Sequence, residues 1–269
     1  MKKNLVGISL ITISCLYGML AAVIILVFAM TDIPIIYGIE ISMAAIALQF
    51  LFAPMLNDWV FKVFYKAKFD YEIPAYLETF IDEICQKYNM NYPKIGFIND
   101  GSPNAFTYGW TKNNARVVIT RGILELLDEE EVKAVVAHEL GHATHCDMLF
   151  MTVAQIVPLI LYYIYQLFDS GKSSSSDNDN NSAAIIGLVA YILYLISQYV
   201  ILWLSRTREY YADSFAVEET KNPTALSKAL IKIGFGLAIG NSEKKSKVST
   251  GNALGISDAK LSKGMASSL

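Results

Sequence analysis

His138, Glu139, Leu140, Gly141 and His142 form an H-E-x-x-H pattern. On an α-helix two residues four apart leave the same face, about 6 Å apart in rise, so both imidazoles can grip one metal ion. Glu139, one residue round from His138, stands where a carboxylate takes a proton from an attacking water instead of binding the metal. This is the chemistry of metal-assisted hydrolysis. The surrounding residues carry helix signals of their own. Asp128 with Glu131 reads as a capping box, and the acidic run from Asp128 to Glu131 suits the positive end of a helix. Val132, Val135 and Val136 add an apolar stripe at helical spacing. The competing reading takes His138 and His142 as ordinary polar residues of a half-buried helix; the cap and the small Gly141 weigh against it.

A catalytic zinc site needs a third protein ligand and one open position. His145 is the nearby rival, but on a straight helix it lies about 10 Å in rise from His138, too far for three rings to converge. The chain has only 3 histidines, so a remote ligand must be a carboxylate or a cysteine. Glu209 opens an E-x-x-x-D pattern in which Asp213 falls on the same helix side, where it can orient His138 or His142 through the second ring nitrogen. A solvated Glu209 paired with Arg206 or Arg208 is the alternative. His145 and Cys146 read as a polar interfacial residue and a small core residue.

The elements that must bring these residues together are apolar. The hydrophobic fraction of 54% is high for a soluble domain, and four segments account for it. Leu5 to Met30, Met148 to Phe168 and Ala183 to Leu204 carry no charge, and Ile33 to Asn57 carries only Glu40. Each approaches or exceeds the roughly 20 residues needed to cross a bilayer core. Leu5 to Met30 is too long for a signal-peptide core and reads as a retained anchor. For the later pair a buried core hairpin or a shallow placement competes with full spans. Asp169 to Ser182 is a polar, low-complexity stretch and should be a mobile loop. Two antiparallel spans would return the chain to one membrane face, delivering Glu209 near His138 and His142.

Lys2, Lys3, Lys62, Lys66, Lys68, Arg206 and Arg208 flank the spans on one side; the opposite loops hold only Lys172. The positive-inside rule therefore places both termini and the catalytic domain in the cytoplasm. A net charge of −3 gives no reason to expect nucleic acid. The 3 cysteines, widely spaced, read as free thiols. Asn57 to Phe69 is a basic amphipathic piece, either at the membrane surface or a connector helix. Ile73 to Tyr88 should be a helix. Pro93 to Ile98, Ala105 to Trp110 and Arg116 to Thr120 should form a small sheet with a hairpin, and Gly122 to Leu127 a short helical piece.

The expected fold is a mainly α membrane protein: two transmembrane helical hairpins with a small α+β zincin-like cytoplasmic catalytic domain. Its parts are an N-terminal hairpin (1–57), a catalytic core (58–147), a second hairpin (148–204) with polar loop 169–182, a third-ligand part (205–239) and a flexible or truncated tail (240–269).

H-E-L-G-H followed by Asp147, an apolar hairpin, and then S-R-x-R-E-x-x-A-D across Ser205 to Asp213 resembles the HtpX group of membrane-bound zinc metallopeptidases. It is more distantly similar to the CAAX prenyl endopeptidases. Pro103-Asn104-Ala105-Phe106 resembles the segment before that family's substrate-side edge strand. The resemblance covers roughly Tyr71 to Phe235. It implies a gluzincin-type core with one zinc ion on His138, His142 and Glu209, Glu139 as the catalytic residue, and Asp213 and Asp147 as supporting carboxylates. It also implies quality-control cleavage of membrane or misfolded polypeptides from the cytoplasmic side of the cell membrane. Asn104, Ala105 and Phe106 would hold an extended substrate by β-addition. Family members commonly continue into a region with a His-Pro segment, and Gly240 to Leu269 has no histidine. The oxyanion donor then falls to Arg206, Tyr210 or Tyr211. The alternative function is a non-catalytic membrane zinc-binding scaffold.

Overall fold

The computed structural model describes residues 2–30, 59, 62–64, 66–69, 71–170 and 177–243. The expected second span, Ile33 to Asn57, and residues 244–269 lie outside them. The chain divides into two compact units, one of Met1–Ala53 and Leu149–Arg208, the other of Pro54–Met148 and Glu209–Leu269.

The first unit is helical. It holds α1 (Lys2–Met30) and most of a helix running Asp147–Ser170 and of one running Asp177–Thr220, called α5 and α6 below. Among the described residues three helices are long and apolar enough to cross a membrane: Leu5–Phe28, Asp147–Phe168 and Ala183–Thr220. Their shared core is Leu16, Leu20 and Val23 against Ala154, Val157, Leu161, Ala190, Ile201 and Leu204. Ala154 and Ala190 are fully buried, as small residues are where helices in lipid approach closely. Ser9 and Thr12 return their hydroxyl protons to the carbonyls of Leu5 and Ile8, both at 2.8 Å, so neither polar group is stranded. Tyr17 donates to the Val153 carbonyl at 3.2 Å. Arg208 is buried and donates to Ser9 Oγ at 2.8 Å, with its guanidinium 4.5 Å from the centre of the Phe150 ring.

The second unit is α/β. It contains α2 (Ala75–Tyr88), β1 (Lys94–Ile98), β2 (Ala105–Tyr108), β3 (Arg116–Thr120), α3 (Arg121–Leu126), α4 (Glu129–Thr144), the ends of α5 and α6, and α7 (Pro223–Glu243). The sheet order is β1-β3-β2. β1 runs parallel to β3 with Phe97 opposite Ile119, and β2 runs antiparallel to β3 with Phe106 opposite Val118. β2 is therefore an edge. The β2–β3 turn needs Gly109, whose φ is +140° and where a Cβ would lie 2.1 Å from the Asn114 carbonyl oxygen. Lys68 pairs with Phe97 as an isolated antiparallel bridge, so the end of the basic Asn57 to Phe69 piece is extended chain against β1.

Two expectations change. The stripe of Val132, Val135 and Val136 on α4 is only part of what is covered, because Ala134, Ala137 and Leu140 are also fully buried. Helices α2 and α7 and strands β2 and β3 pack around α4, which leaves it no wet face beyond its first turn. Residues 169–170 and 177–182 of the expected polar loop are also helical. Helix α5 continues to Ser170 and α6 begins at Asp177, so only 171–176 lie outside the described helices. Helix α6 then runs unbroken to Thr220, since its 44 residues contain no proline. It ends where Lys221 adopts φ 52° and Pro223 opens α7.

The start of α4 is locked twice. Asp128 accepts the Glu131 amide and Glu131 accepts the Asp128 amide, each at 3.0 Å, and Lys232 on α7 reaches the buried Glu131 carboxylate at 2.6 Å. The Asp128→Ala variant is expected to lose about 1 kcal/mol of stability, seen as a melting temperature lower by roughly 2–4 °C in detergent. An unchanged melting temperature would show that the cap adds nothing beyond α4 packing.

Candidate metal centre

Helix α4 presents His138 and His142 on one face, and α6 presents Glu209 and Asp213 on one face. The two helices approach closely because residue 141 is glycine: a Cβ there would meet Ala212 Cα and Phe215 Cβ, both at 3.2 Å, tighter than ordinary contact. His138 Nε2 and His142 Nε2 face each other at 3.1 Å. Glu209 Oε2 lies 3.4 Å from the first and 3.7 Å from the second.

The other ring nitrogens decide what this cluster can hold. His142 Nδ1 lies 2.6 Å from Asp147 Oδ2, and His138 Nδ1 lies 2.9 Å from Asp213 Oδ1, the latter contact bent away from hydrogen-bond linearity. A carboxylate facing Nδ1 assigns the ring proton to that nitrogen. Both Nε2 atoms then carry lone pairs, and these point at one another and at a carboxylate. A shared cation would reconcile three such groups. Tetrahedral coordination with bonds of 2.0–2.1 Å sets donor atoms about 3.3 Å apart, within the spread seen here. The donor set thus fits zinc.

The titration of the site says the same. Burial alone would disfavour the His138 imidazolium, but Asp213, Glu209 and the charge of Glu139 lift its pKa to about 10. Burial works against His142 too, yet Asp147 leads the groups that raise its pKa. The pocket draws in positive charge. Glu139 is buried on the neighbouring face of α4, and desolvation raises its pKa against the opposing pull of His142 and His138. A carboxylate so placed holds a proton more readily than one in water.

Asp147 reaches His142 through a break in the chain. Cys146 adopts φ 54°, an uncommon left-handed conformation for a side chain other than glycine or asparagine, and this turns the start of α5 back over the end of α4. Cys85 and Cys146, like Cys15, are free thiols, as expected. His145, the rival ligand, packs edge-on against Tyr211 and Phe215 instead, with ring centres 6.3 and 6.0 Å away. It is absent from the group of ligand atoms lying within 4.8 Å of one another, which comprises His138, His142 and Glu209 among the described residues.

Asn104, Ala105 and Phe106 lead into edge strand β2. The buried Asn104 donates its amide to Thr120 Oγ1 at 2.9 Å and accepts the Thr120 amide on its carbonyl at 3.0 Å, and its side-chain Nδ2 has no partner among the described residues. Phe106 packs into a small core with Tyr108 and Val118, on the face opposite Ala105. Thr107 was missed by the sequence reading: its hydroxyl donates to the Glu139 carbonyl at 3.1 Å, tying β2 to the active helix. The available signal was strand alternation, since Thr107 shares a face with Ala105, which packs into the α4 core. Arg206 and Tyr210 are exposed on α6, within a turn of Glu209, while Tyr211 is half-buried.

A family model for peptidase family M48 matches residues 74–261. The chain belongs to peptidase family M48. Among M48 relatives, a protease HtpX homolog of Methanothermobacter thermautotrophicus is 37% identical over 220 residues, 81% of each chain. Another from Aquifex aeolicus is 36% identical over 61% of this chain and 57% of its own, and one from Thermoplasma acidophilum is 31% identical over 74% and 67%. The crystal structure of S. mikatae Ste24p shares the fold, with a TM-score of 0.53 at 19% identity over 88% of this chain and 58% of that one. Family, relatives and apolar helices together identify a membrane peptidase. The resemblance to the HtpX group is thereby upheld.

Asp147→Asn and Asp213→Asn should each weaken zinc retention about 10- to 100-fold, measured by competition with a chromogenic chelator. Retention equal to wild type in both would show that neither carboxylate orients a ligand.

Proposed function

We propose that this chain is a zinc-dependent endopeptidase that cleaves membrane or misfolded proteins at the cytoplasmic face of the cell membrane. The observation that carries the reading is the convergence of two imidazole lone pairs and the Glu209 carboxylate beside the buried Glu139. His138, His142 and Glu209 would hold one zinc ion, which when bound supplies Lewis acidity to the attacking water and to the scissile carbonyl.

The rest is done by the chain itself. Glu139 accepts the proton of the attacking water, its raised pKa bringing its basicity closer to working pH, and passes it to the leaving amine. Asp213 and Asp147 hold the two rings in the tautomer that turns Nε2 inward. Edge strand β2 suits pairing with an extended substrate, and Asn104, whose side-chain Nδ2 has no partner among the described residues, is suited to bind the substrate backbone. Oxyanion stabilisation falls to Arg206 or Tyr210, both exposed near Glu209, ahead of Tyr211, whose ring packs toward His145. The excess of basic residues flanking the spans on one side supports a cytoplasmic catalytic unit.

The test uses protein purified in detergent without autolysis and an unfolded model polypeptide. Glu139→Gln is expected to keep one zinc per chain and to lose cleavage by roughly 10²- to 10⁴-fold. Equal cleavage by both proteins removes Glu139 from the mechanism, and absence of cleavage by the zinc-loaded wild type favours a scaffold.

A further inference from the structure

Helices α5 and α6 line an open recess of about 380 Å³ within the helical unit, formed around Gln155, Pro158 and Tyr162 on one side and Tyr194 and Gln198 on the other. It lies within two candidate spans. Gln155 stands roughly 12 Å along α5 from Asp147, inside a hydrocarbon layer about 30 Å thick. Gln155 is exposed and Gln198 half-exposed, and among the described residues neither side chain makes a hydrogen bond. Pro158 lacks the N–H that would close the helical bond to the Ala154 carbonyl. The Tyr162 and Tyr194 rings, 5.5 Å apart, wall one end, and Tyr162 is itself held by Gln166 at 2.6 Å.

Two unpartnered carboxamides at mid-membrane depth are costly unless something binds them. We propose that this recess is a docking site for a transmembrane helix of the substrate, recognising an Asn, Gln, Ser or Thr side chain near the middle of that helix. The inference rests on the endopeptidase reading above and names how a membrane substrate is selected. The chemistry points to this occupant. A carboxamide pair offers donors and acceptors side by side, which a polar side chain complements. Acyl chains offer neither at this depth, and lipid headgroups lie at the surface. The recess volume sits at the low end of the roughly 300–1,000 Å³ of ligand pockets, enough for a side chain or two from a helix lying in the groove.

The experiment places zinc-loaded full-length protein in liposomes with two single-span reporters sharing one cleavable tail. One reporter has Asn at mid-span and the other has Leu. A soluble unfolded polypeptide is the control. Wild type is expected to cleave the Asn reporter roughly three- to twentyfold more efficiently than the Leu reporter, the range of a side-chain hydrogen bond between helices in lipid. The Q155L/Q198L double variant should treat the two reporters alike and cleave the soluble polypeptide as wild type does. Equal cleavage of both reporters by wild type, or a preference that survives in the double variant, overturns the site. A photoreactive residue in place of Leu159 gives a readout independent of cleavage. An adduct with the Asn reporter supports the site; an adduct with a second copy or with lipid alone overturns it. Failure to cleave even the soluble polypeptide would strike the endopeptidase reading, while the photo-adduct still decides the recess.

Discussion

The constraint behind the candidate centre is electrostatic: three electron-donating groups converge where a shared cation would fit. Asp147 Oδ2 and Asp213 Oδ1 face the outer nitrogens of two imidazoles whose inner nitrogens approach each other at 3.1 Å, with the Glu209 carboxylate beside them. The opposing groups sit on helices held in contact by packing at Gly141, Ala212 and Phe215. A methyl group at residue 141 would make those neighbours give by a few tenths of an ångström, so glycine there permits the close approach of the two helices.

That close packing has a cost borne elsewhere in the α/β unit. Helix α4 is buried almost all round, including Glu131, His138 and Glu139. Neighbouring segments supply partners to all three residues, while Glu131 Oε1 and His138 Nδ1 make no hydrogen bond among the described residues. Glu131 is shared between the Asp128 amide and Lys232, His138 faces Asp213, and the Glu139 carbonyl takes a second proton donor from Thr107 on β2. Thr107 also fixes the edge strand against the helix that bears Glu139, the general base of the proposed mechanism. A substrate strand added to β2 would inherit that registration.

The helical unit follows a different economy. Its interior is apolar, closed by alanines, with hydroxyls bonded back to their own helices and Arg208 committed to Ser9 and Phe150. Against that background Gln155 and Gln198 stand out as polar groups that the unit does not satisfy by itself. Polar side chains in lipid drive association when a partner supplies the missing bond, and this is the physical basis for expecting a helix there.

What the sequence determined by itself was local. The cap, the four-residue spacing of His138 and His142 and the turn residues between strands act over a few positions, so α2, α3, α4 and the three strands were all legible. The Glu209-to-His pairing was legible too, because two apolar runs force the chain back on itself. Tertiary structure decided what depends on packing between distant segments. The left-handed Cys146 that delivers Asp147, the parallel pairing of β1 with β3, the burial of α4 beyond its valine stripe and the contact of Thr107 leave no periodic trace. Side-chain periodicity reports only which face of an element is covered. Which element covers it, and which polar group it brings, is settled by the balance of contacts across the whole unit.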